Sequence, residues 1–269
     1  MLKIIFVFIV LIQTSFAKHS LVSNDQQLYS FLGDEWNNGY PEKKYHSVLD
    51  IFIRIYTPII KARGGSFHIL RDFSDGAVNA WAWRIGNEYH LEVPGGLSRY
   101  ELINEEGFIT TICHEIGHLL GGAPARNDTI SFEGQSDYFS AVHCVRKMLK
   151  EIKPYKVLEH SAESNILCSQ AEDNEICKRA LLGAKAISNY FARLEGSEFP
   201  SLMNEDPRIA RQTLQKHPSA QCRLDTFKRG HFCMGNFSEI SYLDPLLGYC
   251  SDDFNKRPLC WYSELKDQL

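Results

Sequence analysis

The residues best suited to chemistry are two histidines four positions apart, with a glutamate beside the first, in His114-Glu115-Ile116-Gly117-His118. On a helix, positions i and i+4 lie on one face, one turn apart. Two imidazoles placed so can hold one metal ion, usually zinc. Glu115 is then positioned to take a proton from an activated water. Downstream, Glu133-Gly134-Gln135-Ser136-Asp137 repeats the same spacing with two carboxylates. A catalytic zinc commonly takes two histidines and one glutamate and keeps one position for water. His114, His118 and Glu133 are therefore the expected ligands. Asp137 is expected to accept a hydrogen bond from the far nitrogen of a ligand histidine and so fix its tautomer. Cys113 is next to His114 but about 100° round the helix, so it is expected to point away from the metal.

Such a site needs buried elements to carry it. Phe108, Ile109, Ile112, Ile116, Leu119 and Leu120 make the first histidine segment a mostly apolar helix, and Gly121-Gly122 are a natural stop. A second helix is expected from Glu133, continuing to about Lys153. Before the first come three strand signals, 67–71, 78–83 and 88–93, separated by Asp75-Gly76 and Gly86-Asn87. They predict a small antiparallel sheet immediately before the metal helix. Further helices are expected over 25–36, 41–63 (with a kink or split at Pro58), 176–194 and about 219–228. Residues 157–172 read as an irregular loop. The expected class is α+β, mostly helical.

Residues 1–17 read as a secretory signal peptide: one lysine, a short apolar run, and small residues before a cut after Ala17. Removing them leaves 252 of the 269 residues, with 28 basic against 33 acidic side chains, a net charge of −5. That size fits a single domain over 18–269, with a Cys-rich tail over about 231–269. No later stretch is apolar for long enough to cross a bilayer. The mild acidity argues against nucleic acid as a partner. Eight cysteines in an exported chain suggest four disulfides. Pairing of sequence neighbours predicts Cys113–Cys144, Cys168–Cys177, Cys222–Cys233 and Cys250–Cys260.

His114-Glu-Ile-Gly-His118 followed by Glu133-Gly-Gln-Ser-Asp137 resembles the gluzincin metallopeptidases. Asn79-Ala80-Trp81-Ala82 ahead of the metal helix and His217-Pro-Ser-Ala-Gln-Cys-Arg223 after it are similar to motifs of one branch, the CAAX prenyl endopeptidases and related bacterial periplasmic metallopeptidases. The resemblance implies a zincin-like fold and one zinc held by His114, His118 and Glu133. It implies Glu115 as general base, His217 as the stabiliser of the oxyanion, and Asp137 as the group that orients a ligand histidine. Arg223 would be a structural partner of the site. Asn79, Ala80 and Trp81 would hold the backbone of a peptide or protein substrate by strand addition. Members of that branch often carry membrane spans, and the eight-cysteine framework is foreign to them, so prenylated substrates are not expected. The reading is an exported zinc endopeptidase, periplasmic or secreted. A cell-wall peptide or amide hydrolase with the same metal chemistry and a non-catalytic zinc-containing envelope protein, binding partners or acting as a chaperone, stand as alternatives.

Overall fold

The computed structural model describes residues 18–23, 26–126, 129–234 and 239–264. The expected signal peptide lies outside the described residues. The chain folds as a helical body with a small sheet on one side. In order it runs β1 (His19–Ser20), α1 (Glu42–Ala62), β2 (Ser66–Asp72), β3 (Trp81–Ile85), β4 (Glu88–Pro94), α2 (Gly95–Arg99) and α3 (Glu105–Leu120). It continues through β5 (Ala125–Arg126), β6 (Ile130–Ser131), α4 (Glu133–Phe139), a π-helical turn (Ser140–Val145), α5 (Arg146–Glu151), α6 (Ala162–Leu167), α7 (Asn174–Glu195) and α8 (Ala220–Phe232).

Helix α1 forms because its apolar residues recur at helical spacing, and Tyr45, Val48, Leu49, Phe52, Tyr56 and Ile60 are buried along one stripe. It runs through Pro58 as one helix, so the expected split there does not occur. Over the described residues 26–36 the expected helix is also absent. The backbone there bonds to another segment instead, with Ser30 N–H donating to Gly76 O and Leu28 O accepting from Val78 N–H. Tyr29, Phe31 and Leu32 stay exposed, so this stretch has no apolar face that a helix would bury.

The main sheet has the order β1-β3-β4-β2. Strands β3 and β4 form the expected antiparallel hairpin around Gly86, whose φ of 56° favours glycine. Strand β2, however, pairs parallel to β4, so the sheet is mixed rather than antiparallel. The Gly86 turn joins neighbouring strands, whereas the Asp75-Gly76 turn lies in a connection, 73–80, that carries the chain past the position of β4, so its turn signal does not make a hairpin. Within the expected loop over 157–172 the chain makes helix α6, started by Ser161, whose Oγ accepts from Ser164 N–H.

Every residue of α3 is buried. Asn104 caps its start by accepting from Gly107 N–H at 2.7 Å. The helix packs on the sheet, on α4 and on α7. A β-carbon on Gly183 of α7 would lie 2.4 Å from Thr110 Oγ1, so α3 and α7 approach more closely than a larger residue would allow.

Cys113–Cys144 and Cys168–Cys177 pair as expected. The other two bridges are Cys222–Cys260 and Cys233–Cys250, nested rather than sequential. Cys222 and Cys233 flank most of α8, and eleven residues of helix span ~16 Å at ~1.5 Å per residue. That is far beyond the ~7 Å between α-carbons that a disulfide bridges.

Candidate metal centre

Helices α3 and α4 bring the predicted ligands together. A β-carbon on Gly117 would sit 2.8 Å from the Ser136 carbonyl oxygen, so the glycine inside the histidine motif lets the two helices touch backbone to backbone. Across this contact His114, His118 and Glu133 converge. His114 Nε2 and His118 Nε2 are 3.0 Å apart. Glu133 Oε2 lies 3.3 Å from the first and 3.7 Å from the second. Ligand atoms on a tetrahedral zinc with bonds of ~2.0–2.1 Å are separated by ~3.3 Å, so these spacings bracket the value for a shared ion.

The outer nitrogens determine which atoms face inward. His114 Nδ1 is 2.7 Å from Asp137 Oδ1, and His118 Nδ1 is 2.8 Å from the Ser131 carbonyl oxygen. Both partners can only accept, so both Nδ1 atoms carry hydrogen and donate. When neutral, each ring then presents the lone pair of Nε2 to the centre. Asp137 is held in turn by Arg223, whose Nη2 donates to the same Oδ1 at 2.6 Å. The Arg223 guanidinium is fully buried and stacks 3.8 Å over the Phe191 ring.

Burial and charge act against each other here. Burial disfavours a charged His114, but the Asp137 carboxylate outweighs it and raises the imidazole to about 9. Burial would raise Glu133, yet His217, His118 and His114 together hold it well below the usual carboxylate range. Glu115 is raised to about 8 by burial, which outweighs the attraction of His114. Both Glu115 oxygens are buried without a hydrogen-bond partner. A buried carboxylate with no partner is costly, and a cation beside it removes that cost. The donor atoms of His114, Glu115 and His118 all lie within 4.8 Å of one another, as do those of His19, His118 and Glu133. This donor set fits a metal ion.

His217 reaches the same place. Its Nε2 is 2.9 Å from Glu133 Oε2, and the ring leans on Phe191. Asn79, Ala80 and Trp81 lead into and begin β3, which packs on α3, but they are covered by the chain's own residues 20–22. Cys113 is bonded to Cys144 and is not a ligand.

His19 is the residue that motif reasoning missed. Its ring stacks on His118 at a centroid distance of 3.9 Å, and its Nδ1 is 3.3 Å from Glu133 Oε1. A single histidine in no motif carries no local signal; only the pairing of β1 with β3 delivers it.

No family model, curated protein or solved structure matches the chain.

Proposed function

We propose that the protein is a zinc-dependent endopeptidase of gluzincin type. The observation that carries this reading is the convergence of three ligand atoms beside a buried, unpaired glutamate. His114, His118 and Glu133 would hold the ion. Zinc, when bound, supplies a Lewis acid that acidifies water and polarises a carbonyl. Glu115 takes a proton from the attacking water and hands it to the leaving amine. Its environment supports that role, since both carboxylate oxygens are buried beside the ligand histidines and have no hydrogen-bond partner. Asp137, braced by Arg223, holds His114 in the tautomer that points Nε2 inward. His217, 31 % exposed and next to Glu133, stabilises the oxyanion that forms when the carbonyl is attacked. The β3 edge that begins at Trp81 receives the substrate backbone as an added strand, and Asn79 and Ala80, both fully buried and bonded to residues 20–22, hold the segment that leads into it.

Export is part of the proposal. Four disulfides suit an oxidising compartment, and among the described residues no helix is long and apolar enough to cross a membrane.

The test measures zinc in the purified, oxidised protein and cleavage of an unfolded protein substrate. A single zinc per chain, retained in Glu115→Gln while cleavage disappears, is the expected result. A folded wild-type protein that takes up no zinc, or a Glu115→Gln protein that still cleaves, overturns the reading.

A further inference from the structure

The N-terminal arm lies on the surface assigned above to substrate. Strand β1 pairs antiparallel with β3, with His19 opposite Ala82 and Ser20 opposite Trp81. The contact continues past the strand: Leu21 N–H donates to Ala80 O at 2.9 Å. Asn79 then clasps the next residue with its side-chain amide, accepting from Val22 N–H at 3.0 Å and donating to Val22 O at 2.9 Å. All three residues expected to hold a substrate backbone are thus engaged by residues 20–22 of the same chain.

The arm also delivers a donor to the metal face. His19 stacks on His118 and stands 3.3 Å from Glu133, so its imidazole competes for the position a catalytic site leaves to water or substrate. The arm is not held uniformly along its length. Leu21 and Val22 are fully buried in the core and act as a fixed anchor. Residues 18–20 are held by the two-residue pairing with β3, by Ser20 bonding to Asn79 and to the Val22 carbonyl oxygen, and by Lys18, which bonds Glu92 at 2.6 Å and lies 4.6 Å over the Trp83 ring. Lys18 is half-exposed, and such an ion pair is a weak tether.

We infer that residues 18–20 form a displaceable plug, which closes the metal centre through His19 and covers the β3 edge at Trp81 and Ala82 as a strand until an extended peptide takes its place, while Asn79 and Ala80 stay held by Leu21 and Val22. The inference rests on the proposed zinc peptidase. Because the plug is tethered, it competes at a high effective concentration without needing high intrinsic affinity. If the open form is a tenth of the population or less, access to the centre is reduced at least ~10-fold.

The experiment loads Co²⁺ in place of zinc into the oxidised full-length protein and into His19→Ala and His19→Gln, then titrates each with acetohydroxamate while recording the visible spectrum. Thermal midpoints confirm that all three fold, and cleavage of an unfolded protein substrate by the zinc forms is measured alongside. Expected are a different Co²⁺ spectrum in both variants, acetohydroxamate binding at least ~10-fold tighter than to wild type, and faster cleavage. A loss confined to folding stability, with the spectrum and probe affinity unchanged, overturns the plug. Equal probe affinity in the three loaded proteins does the same while leaving the peptidase reading intact. Tighter probe binding in the variants with no cleavage by any form supports the plug and removes the peptidase reading. Failure of all three to bind Co²⁺ overturns both.

Discussion

Helix α3 carries buried acidic groups at both ends, and the two ends treat them differently. At its start, Glu105 and Glu106 are almost fully buried. Glu106 is met by Arg179 Nε at 2.9 Å, and Glu105 accepts from Tyr40 Oη at 2.8 Å with Lys44 3.4 Å away. The protein supplies its own cations there. One turn before the helix ends, Glu115 is buried with neither oxygen bonded, and the side chains closest to the centre are histidines and Glu133. At the first end each carboxylate meets a cation of the protein through one oxygen, while its other oxygen is buried and unbonded. At the second, ligand atoms crowd together, and the Arg223 guanidinium is bonded to Asp137 rather than to Glu115. That contrast separates a polar cluster paired by the protein's own cations from one whose donor atoms could hold a metal ion, even though both are buried on the same helix.

Four substitutions break or sharpen this contrast, in decreasing order of effect. Glu115→Gln removes the proposed general base, and kcat/KM on an unfolded protein substrate is expected to fall by ~10²–10⁴ with zinc content unchanged. Zinc analysis beside a cleavage assay checks it. Arg179→Met leaves Glu106 buried without its cation and is expected to lower stability by ~3 kcal/mol in urea unfolding, again with zinc content unchanged. A fall in zinc content would mean that the two ends of α3 are coupled and the contrast is false. Added zinc at ~100 times its Kd is expected to stabilise wild type by ~2.7 kcal/mol. Glu133→Ala should lose most of that gain, and a chelator should reverse it in wild type. If Glu133→Ala responds to zinc as wild type does, the ligand set is wrong. Tyr40→Phe deletes one hydrogen bond to Glu105 while Lys44 remains, so a loss of ~1 kcal/mol is expected in the same unfolding assay.

The two ends were also unequally legible in the sequence. His114, Glu115, His118, Glu133 and Asp137 stand at fixed i, i+4 spacings, and helix geometry alone turns such spacing into a shared face. Glu106 and Arg179 are separated by 73 residues, and nothing local links them. The disulfides divide in the same way. Cys168–Cys177 closes a short loop and follows from proximity in sequence. Cys222–Cys260 and Cys233–Cys250 depend on α8 being long enough to hold its two cysteines apart. The C-terminal tail then packs back on the site: Trp261 lies where a β-carbon on Gly134 would be, and Arg257 donates to Gln135 at 2.6 Å.

By itself, then, the sequence determined the ligand spacing, the helices that carry it, the β3–β4 hairpin and the α+β class. Each follows from a period or a turn signal within a few residues. Only the tertiary structure decided that β2 runs parallel to β4, that the last two disulfides are nested, and that the N-terminal arm occupies the β3 edge with His19 against His118. These are contacts between segments distant along the chain. They are chosen by which surfaces remain to be buried once the local elements have formed, and no short pattern of residues encodes that choice.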